Sequence, residues 1–250
     1  MRKLAILAEG QTELLFCERL VRFIGQARGV AVAVRKQALV GGRPSNPRQL
    51  VELSGDTESG EHAFFVLLVS CGQDERVLSE VRERREGLAA KGYEAIIAIR
   101  DVHPKPRDAI PALRAAFGRF ASNTPVPAVL ILAIMETEAG FLAEHTHFAR
   151  LDARLSPDLI ARELGFDPRN DDMQLREVPS RDLQDAYFLV TLLYDKSRAC
   201  VERTLDRLDL ELVCSTLCTK SEDLGRLVQR VEDFFAPRGN PSQGAVGETT

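Results

Sequence analysis

Short apolar runs alternate, through the first half of the chain, with longer stretches whose apolar residues recur every three or four positions. Residues 3–8 (Lys-Leu-Ala-Ile-Leu-Ala) suit a strand buried in a sheet. Gly10 turns the chain, and from Thr12 to Gln26 the positions Leu14, Leu15, Leu20, Val21 and Ile24 keep helical spacing. Residues 30–36 read as a second strand after Gly29. Residues 41–61 are rich in Gly, Pro, Ser, Asn and Asp, and read as a loop with one short helix near Arg48 to Leu53. A third strand, Phe64 to Ser70, precedes a charged helix, Asp74 to Lys91, stopped by Gly92. Ala95 to Ile99 is a fourth strand, Arg107 to Phe120 a helix, and Ala128 to Ile134 a fifth strand introduced by Pro125 and Pro127. A short helix follows around Thr137 to Glu144. Strands alternating with helices predict an α/β fold, Rossmann-like, with a mostly parallel sheet flanked by helices on both faces.

The pattern changes near residue 150. No further strand is convincing, and helical stretches recur near 157–165, 180–194, 197–213 and 220–235. The organisation expected is an α/β domain over 1–150, a helical C-terminal part over 151–236 packed beside the sheet, and a flexible tail over 237–250 that is rich in Gly, Pro, Ser and Thr.

Charge narrows the functional classes. Lys plus Arg is 33 against 37 Asp plus Glu, a net charge of −4, which disfavours coating nucleic acid or an anionic membrane through bulk charge. No apolar run approaches the ~20 residues of a transmembrane helix, and Glu9 interrupts the apolar start too early for a signal peptide. The expectation is a cytoplasmic protein with no membrane partner. Five cysteines at irregular spacing (Cys17, Cys71, Cys200, Cys214 and Cys218) make no disulfide framework. Cys214 and Cys218 with His145 and His147 are a conceivable zinc set, but buried thiols on apolar helices are the simpler reading.

In an open parallel sheet, ligands collect at the carboxyl ends of the strands. Glu9-Gly10-Gln11-Thr12-Glu13 follows the first strand, Cys71-Gly72-Gln73-Asp74 the third, Arg100-Asp101-Val102-His103-Pro104 the fourth and Met135-Glu136-Thr137-Glu138 the fifth. Each acid alone has a plain structural role. Glu9 can open a helix that Thr12 caps, Asp101 can cap a turn, His103 can be a solvated loop residue, and Glu136 and Glu138 can be first-turn helix acids. Their shared placement is the signal. Crowded carboxylates repel unless protons or a cation neutralise them, and oxygen ligands suit Mg²⁺ or Mn²⁺.

A strand ending in Glu9-Gly10, followed by Thr12-Glu13 and a helix, resembles the first motif of TOPRIM domains, found in topoisomerases, primases and overcoming-lysogenization-defect nucleases. Their second motif, a strand ending Asp-x-Asp, is matched by Asp101-Val102-His103, with His103 in place of the second acid. A closer resemblance, over about residues 3–200, is to the TOPRIM-like domain-of-unknown-function family 4276. It is carried by Ala8 to Glu13, Val69-Ser70-Cys71-Gly72, Arg100-Asp101, Ile134 to Glu144 (with Gly140 where an aromatic is usual) and Tyr194-Asp195-Lys196. The TOPRIM resemblance implies Mg²⁺- or Mn²⁺-dependent phosphodiester cleavage. In it Glu9 is general acid/base or metal ligand, Asp101 the principal ligand, Glu138 and Glu136 complete the cluster, and His103 is a ligand or proton shuttle. Lys196 and Arg100 offset phosphate charge.

Three readings follow. The first is a metal-dependent nuclease or phosphoryl-transfer protein, working with a partner ATPase in bacterial defence as the nuclease resemblance implies; the chain has no P-loop of its own. The second is a catalytically inactive module that binds a partner ATPase or nucleic acid. The third is a doubly wound enzyme acting on a small phosphorylated ligand, held by Gly72 and the amides around Gly10.

Overall fold

Consecutive residues of β1 (Arg2–Ala8) project to opposite faces of the sheet, and from Leu4 onward both faces are buried. Leu4, Ile6 and Ala8 share a core with α1 (Gln11–Ala27), through Leu14, Leu20, Val21 and Ile24. Ala5 and Leu7 belong to the opposite core, with Val77 and Val81 of α2 (Asp74–Ala90) and Phe117 of α3 (Ile110–Ala121). The computed structural model describes residues 1–41, 47–58, 62–121 and 125–237. The expected tail therefore lies, beyond Pro237, outside the described residues.

The remaining strands are β2 (Val32–Val40), β3 (Gln49–Gly55), β4 (Phe64–Ser70), β5 (Ala95–Asp101) and β6 (Ala128–Ala133). The sheet order is β3-β2-β4-β1-β5-β6. Five strands are parallel, and β3 is antiparallel to β2. The expected α/β sheet is thus present, with a correction at its edge. Arg48 to Leu53 is not a helix; most of it lies in β3, with Leu39 opposite Leu50 and Ala38 opposite Val51. At the far end of the pair Gly55 packs so closely on β2 that a Cβ would lie 2.6 Å from Arg35 Cα. Every residue of β3 is exposed, so no burial pattern betrays it.

After β6 come α4 (Glu138–Ala143), α5 (His147–Leu151), α6 (Pro157–Leu164), α7 (Pro179–Phe188) and α8 (Arg198–Leu205). They enclose a third core of Phe141, Phe148, Ile160, Leu183 and Tyr187, which also takes in Leu15 of α1. The helices expected over 180–194 and 197–213 are shorter than anticipated. Thr191 adopts a left-handed conformation (φ 62°), and the Asp209 side chain caps a new turn by accepting from Leu212 N–H. That turn, α9 (Leu210–Leu212), runs into a π turn (Val213–Leu217) and α10 (Cys218–Lys220). The last helix, α11 (Glu222–Phe235), returns to the sheet beside α1. Its Phe235 and Phe234 meet the Phe64 ring at 5.1 and 5.5 Å. Buried Asp223 latches its first turn to the edge strand, accepting from Leu132 N–H at 3.0 Å and from Arg114 at 2.6 Å. Among the described residues no helix is long and apolar enough to cross a membrane.

Candidate metal centre

Strand register brings the acids together. Ala8 pairs with Ile99, and Asp101 with Ala133, so the residues that follow β1, β5 and β6 emerge side by side. The ladder continues past the strand ends. Glu9 N–H donates to Ile99 O, Val102 N–H to Ala133 O and His103 N–H to Met135 O. Gly72, in the left-handed region at φ 77°, donates its N–H to Glu9 O at 2.7 Å and so ties the end of β4 to that of β1.

Asp101, Glu136 and Glu138 form the centre. All three are buried, and one oxygen from each lies within 4.8 Å of the others. Glu9 sits beside this set: its carboxylate accepts from Asp101 N–H at 3.0 Å and so fixes the backbone of the central acid. Thr137 donates its hydroxyl to Asp101 Oδ1 at 3.3 Å. Glu136 accepts from Ser180 N–H at 2.7 Å and from its hydroxyl at 3.0 Å. Tyr194 donates its hydroxyl to Glu138 Oε1 at 2.8 Å. Lys196 bridges two of the acids, at 2.9 Å from Glu136 and 3.4 Å from Glu138 Oε2. That Oε2 is buried, and although it lies at ion-pair distance from Lys196 it accepts no hydrogen bond. The residue before Glu136, Met135, and Lys196 itself both have positive φ (65° and 58°). Such non-glycine conformations are strained, and here they aim the chain at the site.

The electrostatics follow from burial and crowding. Burial, then the charges of Glu13, Glu9 and Glu138, push the Asp101 carboxyl well above the ordinary range, against the pull of Lys196. Burial likewise raises Glu138, with Lys196 opposing and Glu13 adding to the rise. Burial works on Glu136 too, but the Ser180 and Lys196 hydrogen bonds outweigh it and hold that carboxyl low. The same acids hold Lys196 protonated, above the usual lysine range despite its desolvation. Burial and crowding therefore favour the protonated forms of Asp101 and Glu138, and a bound cation would favour the ionised ones. The unbonded Oε2 of Glu138 and the all-oxygen donor set suit a hard divalent ion.

Glu13 is a further member of this group. Its carboxylate accepts from Gly10 N–H at 2.9 Å, and it is this acid, not Thr12, that caps α1, which begins at Gln11. It is nevertheless buried and close enough to raise Asp101 and Glu138. His103 is partly buried after β5, and its ring joins no three-membered ligand set among the described residues. The zinc set does not assemble around His147. Nδ1 of that ring meets Glu144 O and Nε2 meets the Tyr187 hydroxyl, and burial pushes the ring down to about 4. The thiol of Cys218 turns back to Cys214 O.

No family model, curated protein or solved structure matches the chain.

Proposed function

We propose that the chain is a TOPRIM-like, Mg²⁺- or Mn²⁺-dependent phosphoryl-transfer protein that cleaves phosphodiesters, the reaction of a nuclease. The observation that carries this reading is the convergence of Asp101 from the end of β5 with Glu136 and Glu138 after β6 in one buried oxygen cluster. The three carboxylates would hold the ion, which when bound supplies a polarised phosphate and a bound water of lowered pKa. Glu9 and Thr137 hold Asp101 in place, and Tyr194 and Ser180 orient Glu138 and Glu136. Lys196, 41 % exposed and held protonated, can turn its ammonium toward an incoming phosphate oxygen. Action in bacterial defence with a partner ATPase comes from the resemblance alone.

One observation favours the inactive module instead. Lys196 already places its ammonium between two of the three acids, as an ammonium does where it takes the place of a metal. The experiment is cleavage of DNA, RNA and bis(p-nitrophenyl) phosphate with Mn²⁺ or Mg²⁺, by wild type and by Asp101→Asn. Losing an outer partner of a metal typically costs about 10–100-fold, and loss of Asp101 should cost at least that. Metal-dependent cleavage that disappears in the variant supports the phosphoryl-transfer reading. Wild type inert on every substrate leaves the binding module.

A further inference from the structure

A cavity of about 450 Å³ opens next to the acidic cluster, between the first turns of α1, the ends of β5 and β6, α4, the π turn and α11. Much of its wall is apolar, formed by Phe16, Ile131, Phe141, Leu217, Leu224 and Leu227, and Arg169, Asp171, Asp172 and Lys220 also line it. Glu13, Glu136 and Thr137, all at or beside the metal centre, are part of the same lining. Ligand pockets typically span roughly 300–1,000 Å³.

Two independent features show that this space is built into the fold. Gly140 lines it from the middle of α4, and a Cβ there would meet nothing within 4 Å. Helix interiors disfavour glycine, so a position with room for a side chain and none present keeps the volume open. Opposite, Val213 and Leu217 come from the π turn, a helix distortion that costs backbone geometry and is frequent at functional sites.

We infer that the cavity binds the aromatic or branched apolar body of a small amphiphile whose phosphate-like head reaches the cation at Asp101, Glu136 and Glu138. The head-group assignment rests on the metal reading above; the apolar subsite does not. Without a cation, Glu13, Glu136, Asp171 and Asp172 disfavour an anionic head, and Arg169 and Lys220 on the same lining oppose them. With one, the head gains a ligand, and the apolar body fixes which phosphate esters are accepted.

The test is calorimetric titration with naphthol and with naphthylmethylphosphonate, which cannot be hydrolysed, each with and without Mn²⁺. Wild type should bind naphthol equally in both conditions, and the phosphonate about tenfold or more tighter with Mn²⁺. Gly140→Phe, and Leu217→Trp as a second way to fill the space, should weaken both ligands about tenfold or more while leaving Mn²⁺ affinity unchanged. Asp101→Asn should keep naphthol binding and lose the Mn²⁺-dependent gain. No naphthol binding by wild type, or binding unaffected in both filled variants, overturns the subsite. Mn²⁺ binding that gives the phosphonate no gain overturns the link to the cation. Failure of Mn²⁺ itself to bind, with naphthol still bound, overturns the metal reading and spares the subsite.

Discussion

Asp101 shows how a single residue changes meaning with its surroundings. On a surface it would ionise like any carboxylate; here burial and the charges of Glu13, Glu9 and Glu138 disfavour the charged form. An acid whose folded pKa is raised favours the folded state only while protonated. Unfolded aspartate ionises near about 3.9, so metal-free protein should lose stability as the pH climbs from there through the raised values of Asp101 and Glu138. Glu136, held low, works in the opposite sense and matters only at more acid pH. Asp101→Asn removes the largest part of this penalty. In melting curves at neutral pH without metal it should melt roughly 2–4 °C higher than wild type, the shift that about 1 kcal/mol gives a chain of this size. The difference should vanish near pH 4 and reverse when Mn²⁺ is added. A variant that melts lower than wild type at every pH would mean that Asp101 is a structural hydrogen-bonding residue. At this scale much was legible. Glu9, Asp101, Glu136 and Glu138 each follow an apolar run, and Tyr194 and Lys196 stand in one short motif. Glu13 stands in the first strand-end segment, but its effect on Asp101 exists only once β5 lies beside β1. Ser180 lies 44 positions from its partner Glu136, and no spacing connects them.

Elements were readable where burial imposed a period. The five parallel strands and the helices α1, α2 and α3 fall within a few residues of expectation. The strand β3 does not, because both of its faces are exposed and it is held by ladder hydrogen bonds to β2 rather than by a core. The destination of α11 was equally invisible. Its apolar stripe shows that it must pack somewhere, but only the fold shows it beside α1, anchored by Asp223 to the edge strand β6. That anchor satisfies a backbone N–H which no further strand pairs, one way a sheet edge is closed. Asp223→Ala should leave Leu132 N–H and Arg114 without their buried acceptor and lower stability by about 2–4 kcal/mol in urea denaturation. A loss below about 0.5 kcal/mol would show that α11 is held by its phenylalanines alone.

The whole molecule places its acidic centre where the pieces join. Asp101 comes from the sheet, Glu136 and Glu138 from the entry to the helical part, and Tyr194 and Lys196 from the segment between α7 and α8. A cation bound there ties sheet to helices and stabilises the folded chain by mass action, by about 2.7 kcal/mol at 100 times its dissociation constant. Burial and crowding favour the protonated forms of two of the ligands, so metal binding is expected to release protons, and this separates a buried metal centre from loose surface attraction. The most direct measurement is a calorimetric Mn²⁺ titration at about pH 6 in two buffers of different ionisation enthalpy. The arrangement predicts a heat that differs between the buffers by the enthalpy of protons released, with that release reduced in Asp101→Asn. Absence of binding at millimolar Mn²⁺, or a heat that is the same in both buffers, would contradict it.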